Sequence, residues 1–123
     1  MDSRDCMPEN RVLDLEGLLD NIGRDEELAG QLLDRTARDL PSRMGQLRDA
    51  LEQGDPQAVH RVAHAMKGTL ASIRADEASA CARRVDDAAR DGDIGMARAG
   101  FPALEGATER LLAAIRSRRR GAG

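Results

Sequence analysis

The chain contains two histidines, His60 and His64, and the second opens the run His64-Ala65-Met66-Lys67-Gly68-Thr69. A neutral imidazole offers an unprotonated ring nitrogen, which makes it a nucleophile near neutral pH. Lys67 follows at the i+3 position, a helical spacing that lets its ammonium reach a phosphate carried on the imidazole. Gly68 lies one turn beyond His64 on the same face, and a glycine in a helix interior costs about 0.5–1 kcal/mol relative to alanine. Close approach of another molecule to His64 is a physical reason for tolerating that cost. Ala71 extends the same low-relief strip. An exposed nucleophile, a neighbouring cation and a cleared surface suit phosphoryl transfer, which asks the protein mainly for positioning and charge stabilisation.

The helix carrying these residues has a definite inner face. With His64 set at zero and about 100° per residue, Val59, Val62, Ala63, Met66, Leu70 and Ile73 fall between roughly 160° and 260°. His64 points nearly opposite that arc, so it is not a core histidine. Geometry alone leaves open an ordinary solvated surface histidine, and only Lys67 and Gly68 beside it argue otherwise. His60 lies one turn before His64 on the same face, and two histidines so spaced can hold a metal ion. No carboxylate or cysteine completes a ligand set locally and there is no HExxH pattern, so the expectation is no metal. His60 and Ala71 are read instead as the rim of a surface that a partner covers.

The remaining elements are helices too. Residues 1–10 read as a loose polar tail, and residues 12–22 as a short helix ending near Gly23. From Asp25 to about Gln53, Leu28, Leu32, Leu33, Thr36, Leu40, Met44, Leu47 and Leu51 form one stripe at helical steps. The stripe continues on both sides of Pro41, which favours one kinked helix over two abutting ones. Gly54 suits a helix end, Asp55 an N-cap and Pro56 the first helical position. The helix with His64 follows to about Ile73. Asp76 is placed to cap a third, to about Arg90, with Ala78, Cys81, Ala82, Val85, Ala88 and Ala89 inward. After Asp91-Gly92-Asp93 a last helix covers about 94–117, carrying Ala97, Phe101, Leu104, Thr108, Leu111, Leu112 and Ile115, with Pro102 early in it. Residues 118–123 read as a fraying tail. The expected fold is all-α, an antiparallel four-helix bundle over 11–117 with a short additional N-terminal helix.

Composition agrees and excludes several alternatives. The chain has 123 residues, one domain's worth, with 41% apolar and 33% charged residues. A single Phe, with no Trp or Tyr, leaves a core of Leu, Ile, Val, Met and Ala, which suits helices better than sheets. A net charge of −3 argues against nucleic acid as a partner. The Arg-rich end near 118–120 is short, without interleaved aromatics, and reads as a solvated helix end. Cys6 lies in the polar tail and Cys81 in a helical pattern; without a CxxC or Cys/His cluster, Cys81 reads as a small buried hydrophobe. No apolar run reaches the length of a membrane span and no signal core opens the chain, so a cytoplasmic monomer is expected.

The run His64-Ala65-Met66-Lys67-Gly68-Thr69, preceded by Ala63, resembles the histidine phosphotransfer (HPt) family, whose helix reads His-x-(Leu/Met)-Lys-Gly-(Ser/Thr). Val85-Asp86, Arg90-Asp91-Gly92-Asp93 and Ala50-Leu51-Glu52-Gln53-Gly54-Asp55 extend the similarity over roughly residues 12–115. The resemblance implies that His64 is phosphorylated on its imidazole, that Lys67 stabilises the phosphoryl group and that Gly68 admits the partner. It also implies receiver domains and a hybrid histidine kinase as partners. The family often carries Glu or Gln on the next helix near the histidine, to orient the ring or bond the phosphoryl group. Asp86 stands there in this chain, one methylene shorter, and a solvated acid on an exposed face is the alternative. Ile73-Arg74-Ala75 replaces the family's common Leu-Gly-Ala, so either the turn avoids a left-handed residue or Arg74 adopts one. Ala78 stands where a larger residue is common, which implies a small-faced, closely packed helix.

No Walker sequence or Gly-rich loop after a strand is present, so no cofactor is expected and the chain reads as a carrier rather than a kinase. The phosphoacceptor domain of a chemotaxis kinase is a sub-reading, against which stands the lack of further domains after residue 117. The rival from another class is a non-catalytic helical adaptor that binds a receiver or kinase without transfer.

Overall fold

The computed structural model describes residues 9–122, with side chains from 11 to 118. Cys6 and residues 1–8 of the expected tail lie outside the described residues, as does Gly123. Six helical segments follow one another: α1 (Glu9–Val12), α2 (Leu15–Asn21), α3 (Glu26–Gln53), α4 (Pro56–Ser72), α5 (Asp76–Arg90) and α6 (Ile94–Ala122). The last four form the bundle. Connections of two or three residues force sequential neighbours to run antiparallel, and α3 also packs on α6, which closes the ring of four. The most extensive contact is between α4 and α5. No strand occurs among the described residues.

Local chemistry sets the helix ends. The Asp25 carboxylate accepts from the Leu28 N–H at 3.0 Å. Gly54 ends α3 with φ of 68°, a left-handed conformation open to glycine. Asp55 then caps α4, accepting from Gln57 and Ala58 N–H at 3.1 and 3.3 Å with Pro56 opening the helix. Arg98 of α6 donates from Nε and Nη2 to the Leu51 carbonyl at 3.0 and 2.9 Å, so the end of α3 is also tied across the bundle. α3 runs unbroken through Pro41, as the continuous stripe predicts. Pro41 is exposed while Leu40 and Met44 beside it are buried, so the missing N–H faces solvent and the packed face is intact.

The core is aliphatic: Leu33, Leu47, Val59, Leu70, Val85, Leu104, Leu111 and Ile115 are essentially solvent-free. Of the expected α3 stripe, Leu28 stays exposed, one turn from the helix start. Cys81 is a buried free thiol.

Three expectations about element ends are corrected. The segment 12–22 is not one helix: Leu13 and Asp14 separate α1 from α2. Asp14 caps α2 through the Gly17 N–H at 3.0 Å, and its own N–H donates to the Arg74 carbonyl at 3.0 Å. A Cβ on Gly17 would collide with the Asp14 carboxylate and the Arg74 guanidinium. Arg74 itself adopts the left-handed conformation, φ 64°, held by an ion pair to Asp14 at 3.1 Å. The N-cap of α5 is Ala75, without a side-chain bond, and Asp76 lies inside the first turn, where its charge favours the helix dipole. Finally, α6 continues to Ala122, past the expected end near 117.

Candidate functional site

The inner face of α4 is the one its periodicity predicts. Val59, Ala63, Met66 and Leu70 are buried, and Ile73 just beyond the helix joins them. His64 is thereby turned outward, with 58% of its side chain exposed. Gly68 and Ala71 are exposed beside it, and a Cβ built on Gly68 meets nothing within 4 Å. The strip next to His64 is therefore open, and no packing contact among the described residues requires glycine there.

Asp86 of α5 organises the site. Its side chain is completely buried, which excludes the solvated acid on an exposed face. One carboxylate oxygen, Oδ1, lies 2.5 Å from His60 Nδ1. The other, Oδ2, lies 3.2 Å from His64 Nδ1 and 3.5 Å from Lys67 Nζ. The two imidazole rings stand 5.3 Å apart, tilted by 42°. Burial alone would push the Asp86 carboxyl up, but hydrogen bonds from His60 and His64, the field of His60 and the contact with Lys67 outweigh it. The carboxyl is held below its ordinary value of 3.8. An ionised carboxylate only accepts hydrogen bonds, so each facing Nδ1 carries a proton, and in the neutral form of each ring the lone pair lies on Nε2.

The structure thus brings His60, His64, Lys67 and Asp86 together and leaves Gly68 and Ala71 as the open floor beside them. Lys67 is closer to the inner side of the ring than the phosphate-reaching position expected of it, with 26% of its side chain exposed. Two features escape the sequence reading. His60 shares the carboxylate with His64 rather than standing free on the rim. Ser79 Oγ donates to the Lys67 carbonyl at 3.2 Å and so pins α5 to the turn of α4 that carries the site. The sequence signal for Asp86 was present: it lies within one turn of Ala82 and Ala89 on the buried stripe of α5.

Comparison with known proteins agrees with this fold. The model of the Hpt domain family matches residues 31–115. The structure is similar to the crystal structure of histidine-containing phosphotransfer protein B (HptB) from Pseudomonas aeruginosa PAO1. The TM-score is 0.81 and the identity 26%, over 89% of this chain and 95% of that one. No curated protein sequence matches.

Proposed function

The chain belongs to the Hpt domain family, and from that membership we propose that it carries a phosphoryl group on His64 between receiver-domain aspartates. Histidine phosphotransfer within phosphorelays is the activity of the family; the acceptor atom, the partners and the roles below are our reading. The observation that carries it is the outward His64 ring, 58% exposed, with Nδ1 turned to a buried carboxylate at 3.2 Å. Nε2, on the other edge of the ring, is left with its lone pair toward solvent.

In the forward step Nε2 attacks the phosphorus of an aspartyl phosphate. The N–P bond forms, the acyl O–P bond breaks, and the aspartate leaves as a carboxylate with the bonding electron pair. Positive charge develops on the imidazole, and Asp86 stabilises it through Nδ1–H from its buried position. Lys67 exchanges its contact with Asp86 for the phosphoryl oxygens as they arrive. Gly68 and Ala71 let the receiver's site close over the ring. Transfer onward reverses these steps. The sequence carries no Walker motif, which suits a carrier loaded by a hybrid kinase and its receiver. No helix among the described residues is long and apolar enough to cross a membrane, which agrees with a cytoplasmic relay.

Incubation with a phosphorylated receiver tests this. Wild-type chain should acquire an acid-labile, base-stable label, and His64→Gln should acquire none while keeping its helical spectrum. A chain that binds receivers but is never labelled would be an adaptor. Labelling that survives His64→Gln and disappears in His60→Gln would move the acceptor to His60.

A further inference from the structure

We propose that His60, His64 and Asp86 also form a three-ligand site for a zinc-class divalent ion, seated on the inner edge of the two rings. Each side chain offers one ligand atom, and the three atoms all lie within 4.8 Å of one another. Two imidazoles and a carboxylate form a three-ligand set of the kind found in zinc sites, which leaves one position of a tetrahedral ion to water. Imidazole donors select zinc, copper or nickel over magnesium or calcium. A pair of surface histidines one turn apart is commonplace; here the third ligand is a carboxylate with no solvent exposure, aimed at both rings from the neighbouring helix.

The distances suit the ion. Metal–ligand bonds of about 2.0–2.2 Å put tetrahedral ligand atoms about 3.3 Å apart. With Oδ2 as the carboxylate ligand, His64 Nδ1 already stands 3.2 Å from it, and His60 Nδ1 lies against the other oxygen of the same carboxylate, Oδ1, at 2.5 Å. The 4.8 Å limit of the cluster means that no pair of ligand atoms has to close by more than about 1.5 Å. Both rings can make that movement, being 39% and 58% exposed. Lys67 Nζ, 3.5 Å from Oδ2, opposes a cation in this position, but its flexible side chain can swing to solvent.

The consequence rests on the reading of His64 as phosphoacceptor. A metal on Nδ1 takes the lone pair of that nitrogen, so the proton of the neutral ring moves from Nδ1 to Nε2. The ring loses no proton overall, yet Nε2 becomes an N–H and has no electron pair for phosphorus. Metal binding therefore silences the acceptor from behind, through its tautomer, without covering it.

Calorimetric titration of the untagged chain with Zn2+, and with Co2+ for its visible absorption, tests the site. One ion per chain is expected, with a tetrahedral Co2+ spectrum. His60→Gln should weaken binding at least about tenfold, the loss that even an outer-shell partner causes. Long-range proton–nitrogen NMR should show the His64 proton moving from Nδ1 to Nε2. Transfer from a phosphorylated receiver should stop in wild type at a Zn2+ concentration where His60→Gln keeps its own metal-free rate; that comparison also cancels any effect of zinc on the receiver. Absence of stoichiometric binding, or equal affinity in His60→Gln, overturns the site. A bound ion that leaves the tautomer and the rate unchanged overturns the silencing. A wild-type chain that is never phosphorylated sinks the transfer reading, while the calorimetry still decides the metal site.

Discussion

Replacing Asp86 by Asn keeps the shape and one acceptor oxygen of the buried side chain but removes its charge. In the proposed transfer the carboxylate holds the Nδ1–H of His64 across 3.2 Å while positive charge develops on the ring. A hydrogen bond to a charged group contributes about 1.5–3 kcal/mol and a neutral one about 0.5–1.5 kcal/mol. Asp86→Asn thus forfeits about 1–1.5 kcal/mol of transition-state stabilisation, a slowing of roughly fivefold to tenfold. Asp86→Ala forfeits the whole contact and should slow transfer by about one to two decades. Stability follows a different rule. Because the folded chain holds the Asp86 carboxyl below its ordinary value of 3.8, the unfolded chain takes up that proton first as the pH falls. The carboxylate therefore stabilises the fold fully above that value, and its contribution disappears as the pH drops through the lowered one. Single-turnover transfer from a phosphorylated receiver, with unfolding measured between pH 7 and 3, reads both effects. The expected pattern is a graded rate loss, Asp then Asn then Ala, and a stability gap between wild type and Asn that closes in acid. Asn at the wild-type rate would refute the idea that the carboxylate carries developing charge.

Gly68→Ala should match or exceed wild type in melting temperature, because the new Cβ meets open space and alanine gains up to about 1 kcal/mol of helix propensity; Gly68→Gln should keep part of that gain yet slow transfer sharply, and an unaffected rate would remove the docking argument. Lys67→Ala should slow transfer by about one to two decades through loss of one charge-assisted contact of about 1.5–3 kcal/mol, with its helical spectrum unchanged. Arg74 sits at φ 64°, so in chemical denaturation Arg74→Gly should be more stable than Arg74→Ala by about 1 kcal/mol, the cost of a left-handed residue with a Cβ; the reverse order would mean that the turn rearranges.

The elements most legible in the sequence were those governed by local rules. The face of α4 followed from periodicity because Val59, Ala63, Met66 and Leu70 all need burial and only one helix orientation provides it. Gly54-Asp55-Pro56 set a boundary through backbone chemistry that acts within a few residues. What sequence reading missed depends on contacts between elements. Asp86 was expected near His64 through the resemblance, but an acid ionised in water at neutral pH can be fully buried only because His60, His64 and Lys67 face it across the α4–α5 interface, which no local pattern reveals. Asp14 breaks the first helix because its N–H and carboxylate engage Arg74, sixty residues away in the chain. Ala75 needs no side-chain cap because α5 is held by packing, and no local pattern announces that.

The shorter acid at the Asp86 position is then explained by the small residues around it. An Asp reaches about one carbon–carbon bond less far than a Glu from the same backbone position. It can still touch both histidines only if α5 lies close to α4, and helix axes approach toward the near end of about 8–10 Å when the side chains between them are small. The α5 residues around Asp86 meet that requirement, since Ala78, Ala82 and Ala89 are buried and none extends beyond a methyl group. Ala63 supplies the same small surface from α4, and the bond from Ser79 Oγ to the Lys67 carbonyl, 3.2 Å long, requires close approach about two turns away along α5. Ala78 and Asp86, two separate departures from the family pattern, are thus parts of one arrangement. Small residues between α4 and α5 let the short acid reach both rings, and the shorter side chain gives up less rotational freedom when the carboxylate is fixed against the ring.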